Sequence, residues 1–229
     1  RWGINYKGMR QKLHSFVFNK MAENSYLVWD GSDGSAVLVD PGCASDPELA
    51  AMEEEIARAG LHPRAILVTH PHVDHIAGAG ELCRRYGIEC HASVLDTALA
   101  SRDRELRKLY QFKMESPSAP FRFFGEGTQT LQFGPITVQV LPVGGHTAGS
   151  VAYYLPDAGA VFVGDTVKKG SLGFLETGYA QTLERIRDYL LPLPDETLLL
   201  PGHGEASTIG EEKRSNRFFI RCAPPGRSE

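Results

Sequence analysis

The sequence predicts an α+β fold in which two mixed β-sheets pack together and helices lie on the outside. The order of the predicted elements carries this interpretation: strand hairpins come first, helices and strands then alternate, and further hairpins follow before the last helices and strand. This order fits neither an all-parallel α/β fold nor an all-β fold. The composition agrees, because 229 residues that are 42% hydrophobic and 23% charged can bury one sizeable core.

The first half of the chain is predicted from alternation, turn residues and helix-capping signals. Residues 31–34 have the glycine-rich composition of a hairpin turn. Asp46 is a capping residue, Pro47 suits a first helical turn, and Gly60 stops the helix. The predicted elements are strands over Leu13–Phe18, Tyr26–Trp29 and Ala36–Val39, a helix between Asp46 and Gly60, a strand beginning at Ala65, a helix over Ile76–Tyr86, a strand over Ile88–His91 and a helical segment over Ser93–Tyr110.

The second half contains two more predicted hairpins and two helices. The charged run Arg102–Lys108 precedes them and is predicted to be a solvated helical face, with a basic substrate patch as the alternative. Phe112–Phe124 contains proline and aromatic residues without clean periodicity, which predicts a loop and a candidate cover for a site. The remaining predicted elements are strands over Thr130–Phe133, Ile136–Leu141, Val151–Leu155 and Ala160–Val163, a helix over Gln181–Leu191, a strand over Leu198–Leu200 and a helix over Ile209–Asn216.

We predict one domain over residues 1–229, because the sequence contains neither an internal repeat nor a linker composition. Its ends, residues 1–12 and 222–229, are predicted to be loose. The formal net charge of −4 predicts no general attraction to nucleic acid or to an anionic membrane. Four scattered cysteines without a CxxC motif indicate reduced thiols in a cytoplasmic protein. The predicted partner is therefore a small-molecule substrate, and the sequence leaves the oligomeric state open.

One stretch points directly to chemistry. Residues 65–69 are four apolar residues and a threonine, and they lead into His70, His72, Asp74 and His75. At strand-like spacing His70 and His72 point the same way and can bind one ion, whereas Asp74 and His75 follow at a turn and can face a second. Imidazole and carboxylate are ligands of zinc, iron and manganese. The stretch therefore predicts a metal site.

Three later places add one candidate ligand each. They are Gly144–Thr147, Val163–Thr166 and Pro201–Gly204. A single Gly-His-Gly turn is more often a loop than a site. The cluster at residues 70–75 and these three later places, taken together in one chain, predict a common metal centre. The candidate ligands are His70, His72, Asp74, His75, His146, Asp165 and His203. Seven candidates exceed the needs of one tetrahedral ion and predict two divalent ions, with zinc as the expected metal and iron or manganese as alternatives.

This set of residues, in this order, resembles the metallo-β-lactamase superfamily. Asp40, in the segment Leu38–Gly42, resembles the first motif of that family, which is usually a supporting residue and not a ligand. Within the superfamily the sequence is most similar to short, single-domain relatives of glyoxalase II. The segments Pro201–Gly204 and Thr208–Asn216 resemble the carboxyl-terminal part of those relatives. The resemblance implies an αβ/βα four-layer sandwich, with the ligand loops gathered along one edge of the two sheets.

The resemblance also implies an assignment of ligands and a reaction. His70, His72 and His146 would hold the first metal, and Asp74, His75 and His203 the second. Asp165 would bridge the two ions. The implied reaction is hydrolysis of a thioester of the hydroxyacylglutathione type by a metal-bound hydroxide, in which Asp74 and Asp165 are the catalytic carboxylates.

The residues that would bind substrate are less well matched to glyoxalase II. Phe174 stands where that family usually has a basic residue for a glutathione carboxylate. Lys168 and Lys169 are candidate replacements, with ordinary exposed lysines as the alternative, and Tyr153 either contacts substrate or packs in the core. The alternative functions are hydrolysis of a lactone or phosphodiester, a mono-iron glutathione persulfide dioxygenase, and a non-catalytic metal-binding or interaction protein.

Overall fold

The computed structural model describes residues 10–112, 114 and 116–222, and these residues form two six-stranded sheets. The first sheet contains, in both chain and spatial order, β1 (Gln11–Phe18), β2 (Glu23–Asp30), β3 (Ser35–Val39), β4 (His62–Leu67), β5 (Cys90–Ser93) and β6 (Phe121–Phe124). The second contains β7 (Gln129–Phe133), β8 (Ile136–Leu141), β9 (Ala152–Leu155), β10 (Ala160–Gly164), β13 (Leu198–Pro201) and β14 (Ser207–Thr208), and a separate hairpin contains β11 (Val167–Lys168) and β12 (Ser171–Leu172). The helices are α1 (Asp46–Arg58), α2 (Ala79–Tyr86), α3 (Thr97–Ala100), α4 (Asp103–Leu109), α5 (Tyr179–Arg185), α6 (Ile209–Ser215) and α7 (Arg217–Cys222).

Both sheets are mixed, as predicted. In the first sheet β1, β2 and β3 are antiparallel, and β3 to β6 are parallel neighbours. The second sheet has the spatial order β14-β13-β10-β9-β8-β7, in which the β10–β13 pair is parallel. Parallel strands end at the same edge of a sheet. The segments that follow β3 and β4 in one sheet, and β10 and β13 in the other, are therefore brought to common edges.

Three apolar clusters define four layers. The first lies between α1 and α2 and the outer face of the first sheet, where Met52 and Leu82 are fully buried. The second lies between the two sheets and includes Val37 and Phe162. The third lies between the second sheet and the carboxyl-terminal helices, where Phe219 is fully buried. The arrangement is the predicted αβ/βα sandwich, because each sheet buries one face against its partner and the other against helices.

The prediction of a loop over Phe112–Phe124 is wrong for its last four residues, which form the edge strand β6. Backbone pairing with β5 defines this strand, and Phe121 and Phe123 stack with ring centroids 5.4 Å apart. An edge strand of four residues that follows a proline-containing segment has too few positions to show a period of two. Two residues of the predicted loop, Lys113 and Glu115, lie outside the described residues.

The solvated helical face predicted for Arg102–Lys108 is wrong at Arg107. This side chain is buried, pairs with Asp103 at 2.8 Å and donates to the Ile76 carbonyl oxygen at 3.1 Å. Arg102 and Glu105 do form an exposed pair, as a solvated face requires. Local charge patterning could not separate the two cases, because the partner of Arg107 at Ile76 is distant in sequence.

Several predicted boundaries also move. The residue that precedes α1 as its cap is Ser45, with Asp46 and Pro47 inside the first turn. Residues 76–78 are not helical, and α2 begins at Ala79. Of the predicted loose ends, residues 1–9 and 223–229 lie outside the described residues, whereas Gln11, Lys12 and Cys222 belong to β1 and α7. Among the described helices, none is long and apolar enough to cross a membrane.

Candidate metal centre

The structure brings all seven predicted ligands together at one edge of the two sheets. Asp165 directly follows β10, and His203 follows β13. His146 lies in the connection between β8 and β9. The cluster His70, His72, Asp74 and His75 lies in the turns between β4 and α2.

Among the described residues, three groups of side chains bring possible metal-binding atoms within 4.8 Å of one another: His70, His72 and His146; Asp74, His75 and His203; and His70, His75 and Asp165. The first two contain the same residues as the two terminal ligand sets of the predicted assignment. In the first, one ring nitrogen each of His70, His72 and His146 lies within 4.8 Å of the others, and His146 Nε2 is 3.0 Å from His72 Nδ1. In the second group, His203 Nε2 is 3.1 Å from Asp74 Oδ2. His75 Nε2 is 3.8 Å from the same oxygen.

Asp165 lies between these two groups. Its Oδ1 is 3.6 Å from His75 Nε2. Its Oδ2 is 3.9 Å from His146 Nε2 and 3.6 Å from His203 Nε2. One carboxylate thus faces donor atoms of both groups, which is the position that a bridging ligand requires.

The chemistry of this cluster fits a pair of divalent cations. His70 Nε2, His75 Nε2 and Asp165 Oδ1 are buried and have no hydrogen-bond partner among the residues that the structure describes. Such atoms are costly to bury, so polar atoms that converge without partners indicate a ligand in the space between them. Gly202 adds a steric argument, since a Cβ at this position would overlap Asp165 Oδ1 and the His75 ring. Glycine therefore keeps the space open.

A network behind the ligands fixes the orientation of two imidazoles. His75 Nδ1 donates to Asp40 Oδ2 at 3.1 Å. Thr69 Oγ1 donates to the same oxygen at 2.6 Å and lies 3.1 Å from His70 Nδ1, from which it accepts. Both rings consequently turn Nε2 toward the cluster. Asp40 holds this place in a left-handed backbone conformation with φ of 47°, which aspartate tolerates better than most residues.

Backbone carbonyl groups orient two further rings. His146 Nδ1 donates to the Phe174 oxygen at 2.7 Å, and His203 Nδ1 donates to the Met21 oxygen at 3.1 Å. A hydrogen bond at one ring nitrogen fixes the tautomer and leaves the other nitrogen free to bind a metal. Both histidines are therefore held at Nδ1, which leaves Nε2 on the side of the cluster.

The electrostatics of the site favour bound positive charge. Burial, with the neighbouring imidazoles, lowers the pKa of His70 and brings that of His72 to about 4, so both rings are neutral. Burial alone would also lower the pKa of His75, but the Asp40, Asp74 and Asp165 carboxylates raise it to about 10. Carboxylates that hold a proton on a buried imidazole in the absence of metal provide the charge that would balance divalent cations.

Comparison with known proteins supplies the family. The chain matches the model of the metallo-β-lactamase superfamily over residues 19–203. The chain belongs to the metallo-β-lactamase superfamily. Members are generally hydrolytic enzymes that bind divalent metals, in agreement with the histidine and aspartate groups described above.

Individual relatives within the metallo-β-lactamase superfamily span most of the chain. Hydroxyacylglutathione hydrolase GloC of Haemophilus influenzae is 30% identical over 201 residues, which cover 86% of this chain and 92% of that protein. The crystal structure of the BLEG-1 B3 metallo-β-lactamase is 28% identical with a TM-score of 0.77, and that of TTHA1623 in a di-iron-bound form is 31% identical with a TM-score of 0.74. In both comparisons the aligned region covers 90% of this chain and 99% of the chain in the crystal structure.

The four residues predicted to bind substrate differ in their exposure and in their contacts. Tyr153 is fully buried and donates to the Val68 and His91 carbonyl oxygens at 3.0 Å, so its packing alternative holds and the predicted substrate contact is wrong. Lys169 pairs with Glu205 and Glu211. Lys168 is half-buried on β11. Phe174 is 75% exposed beside His146.

Sequence reasoning missed three groups that hold the site loops. Asn19 donates to the Gly42 and Asp74 carbonyl oxygens at 2.9 and 3.0 Å. Asp96 accepts from Thr147 Oγ1 at 2.7 Å and from the Gly149 amide at 2.9 Å. Glu212 anchors the segment that follows Asp165, because it accepts from the Gly170 amide at 3.0 Å. Each group acts across many residues of sequence, and an isolated polar residue gives no local signal of such a role.

Proposed function

We propose that this protein is a dinuclear metal-dependent hydrolase of thioesters. The observation that carries the proposal is the position of Asp165 between two groups of donor atoms. A single carboxylate that faces both groups suits a pair of divalent ions that would share one ligand.

The residues divide the work as follows. His70, His72 and His146 would hold one ion, and Asp74, His75 and His203 the other, with Asp165 shared. When bound, two such ions supply a water whose pKa falls from about 15.7 toward about 7, and they polarise the substrate carbonyl.

Thioesters suit a site that contributes ligands and no strong proton donor. A thiolate leaves readily because thiol pKa values lie near ~8.5, so the chain need not protonate the leaving sulfur. A Gly-x-Ser-x-Gly nucleophile motif is absent from the sequence, which removes support for covalent catalysis. The similarity to a hydroxyacylglutathione hydrolase over 86% of the chain also supports a thioester.

A substrate screen on metal-saturated protein tests this proposal. S-lactoylglutathione and neutral thioesters, a lactone series and a phosphodiester series are offered to one preparation of known metal content. We expect hydrolysis of thioesters above the other two classes. Activity confined to lactones or phosphodiesters would reject the thioesterase assignment. Oxygen consumption with glutathione persulfide by a one-iron protein would favour the dioxygenase alternative.

A further inference from the structure

The turn between β1 and β2, residues 19–22, lies behind the second group of candidate ligands, which contains Asp74, His75 and His203. The Met21 carbonyl oxygen in this turn accepts from His203 Nδ1 at 3.1 Å. The Asp74 carbonyl oxygen accepts from Asn19 Nδ2 at 3.0 Å. On the side of the cluster, His203 Nε2 and Asp74 Oδ2 lie 3.1 Å apart. The turn therefore contacts two members of this group on the side that faces away from the cluster.

The side chain of Asn19 connects these two contacts. Its Nδ2 donates to the Gly42 carbonyl oxygen at 2.9 Å as well as to that of Asp74, and its Oδ1 accepts from the Met21 amide at 2.9 Å. A primary amide supplies the two donors and the acceptor that these three hydrogen bonds need. One side chain thus holds the backbone at Asp74 and the backbone of the residue whose carbonyl group orients His203.

The backbone of Asn19 is also held in an uncommon conformation. Its φ is 50°, in the left-handed region that asparagine enters more readily than most residues other than glycine. Its amide donates to Glu48 Oε1 at 2.7 Å, in the first turn of α1. Backbone strain that the surrounding structure holds in place is typical of functional sites.

The contacts of Asn19 favour one group of candidate ligands over the other. Within the described part of the chain, its side-chain hydrogen bonds go to Gly42, Asp74 and Met21. The first group has different supports, because Thr69 orients His70 and the Phe174 carbonyl group orients His146. The two groups are therefore held by separate sets of hydrogen bonds.

We propose that Asn19 is a positioning residue for the second ion, so that its side chain raises the metal affinity of the group formed by Asp74, His75 and His203 and leaves that of the first group unchanged. This inference rests on the two-ion site of the proposed function. Groups that orient metal ligands indirectly typically contribute 10- to 100-fold in affinity, so loss of the Asn19 amide should weaken binding of the second ion about 10- to 100-fold.

The test measures zinc affinity in two parent variants that each keep one group of ligands. His146→Ala removes a ligand of the first group, and His203→Ala removes a ligand of the second. Asn19→Gly is added to each parent, because glycine accepts the left-handed backbone conformation and lacks the amide. By chelator competition, zinc binding should weaken about 10- to 100-fold in the His146→Ala parent and stay unchanged in the His203→Ala parent.

A second variant tests the same hydrogen bonds with the shape of the side chain preserved. Asn19→Asp keeps the acceptor for the Met21 amide but turns a carboxylate oxygen, which cannot donate, toward the carbonyl oxygens of Gly42 and Asp74. Zinc binding should again weaken in the His146→Ala parent alone. The matched control is Lys20→Ala, in the same turn, where an exposed side chain donates to the Tyr110 carbonyl oxygen. This control should leave zinc affinity unchanged in both parents.

The possible outcomes separate this inference from the proposed function. Equal weakening in both parents would show that Asn19 supports the fold alone and would overturn the inference, as would unchanged affinity in the His146→Ala parent. Equal losses in Lys20→Ala and Asn19→Gly would overturn it too. Wild-type protein that binds two zinc ions but hydrolyses no thioester overturns the proposed function and leaves this inference standing. Wild-type protein that never binds a second ion overturns both.

Discussion

At the scale of single residues, Asp165 is the side chain on which the proposed two-ion site depends most. It is the carboxylate that faces donors of both groups, at 3.6 to 3.9 Å from His75, His146 and His203. The predicted assignment gives each histidine to one ion only and shares Asp165 between the two. The loss of Asp165 should therefore affect both ions at once.

We predict that Asp165→Ala lowers metal content and activity more than alanine at any one of the five histidines. The change removes a ligand from both ions and leaves their mutual repulsion unscreened. Elemental analysis and thioester hydrolysis measure the effect, with Asp157→Ala in the β9–β10 turn as a control that removes a carboxylate outside the site. Metal content and activity in Asp165→Ala close to those of the wild type would disprove the bridging assignment.

Phe174 should determine how well an anionic thioester binds. We predict that Phe174→Arg lowers KM for S-lactoylglutathione about 10- to 150-fold, because one charge-assisted hydrogen bond contributes roughly 1.5–3 kcal/mol. The value of kcat should change little, since the new contact is remote from the reacting carbonyl and acts equally in the ground and transition states. Steady-state kinetics measure both values.

The control for this change is Ile220→Arg, which adds the same charge on α7. It should leave KM unchanged if the effect of Phe174→Arg is local. Tight binding of S-lactoylglutathione by the wild-type protein would contradict the account and would assign the carboxylate contact to Lys168 or another group.

At the scale of elements, α6 holds the hairpin that connects Asp165 to Phe174. The Glu212 side chain is fully buried and accepts from the Gly170 amide at 3.0 Å and from Ser207 Oγ at 2.5 Å. Asn216 Nδ2 donates to Glu212 at 2.6 Å and to the Ser171 oxygen at 3.2 Å. Because the turn of the β11–β12 hairpin is fixed in this way, the positions of Asp165 at one end and the Phe174 carbonyl at the other depend on α6.

We predict that Glu212→Gln weakens metal binding as well as the fold. The amide cannot accept from all three donors, and loss of a charged acceptor costs about 1.5–3 kcal/mol in the free energy of unfolding. Metal affinity, measured by chelator competition on folded protein, should fall about tenfold, as for other groups that orient ligands indirectly.

Glu211→Gln is the matched control for Glu212→Gln. It changes the same residue type in the same helix, at a partly exposed side chain. Metal affinity should be unchanged in this variant. A Glu212→Gln protein with lowered thermal stability and wild-type metal affinity would show that Glu212 supports the fold alone.

The elements that the sequence predicted best are those with a local signal. Alternation located most strands, and the His-x-His-x-Asp-His spacing located the first four candidate ligands. The strand β6 was missed because its pairing with β5 is a tertiary property. Arg107 was misjudged because its burial depends on a carbonyl group at Ile76.

Tertiary contacts also explain why the sequence did not predict which groups orient the histidines of the site. His146 and His203 are oriented by the carbonyl oxygens of Phe174 and Met21, and a carbonyl is present at every residue. No side-chain identity encodes such a partner. The residues of the cluster could therefore be predicted, and their role as ligands stays a prediction, whereas the groups that orient them, with the exception of Asp40, required the structure.

At the scale of the whole molecule, the site joins the two sheets. His70 to His75 and Asp40 follow strands of the first sheet, and Asp165 and His203 follow strands of the second. Asn24 of β2 also connects the two sheets. Its backbone N–H donates to the Gly202 oxygen at 2.7 Å, and its side-chain Nδ2 donates to the Pro201 oxygen at 3.0 Å. Bound metal would therefore cross-link two halves of the fold.

We predict that removal of metal lowers the thermal stability of the protein. Ligand at 100 times its Kd stabilises a folded protein by about 2.7 kcal/mol, which corresponds to roughly 5–10 °C in Tm for a chain of this size. Thermal unfolding with and without a chelator measures the shift, and added zinc should restore it. Asp165→Ala is the control and should respond weakly to the chelator. An equal Tm with and without metal would contradict a cross-linking role.

The most direct test of the account is the number of metal ions per chain. Protein saturated separately with zinc, iron and manganese, freed of excess ion and analysed for metal against protein concentration, should reach two ions per chain with at least one of these metals. The account predicts this value because six side chains form two groups around the shared Asp165. A content that never exceeds one ion per chain with any of the three metals would contradict the dinuclear centre.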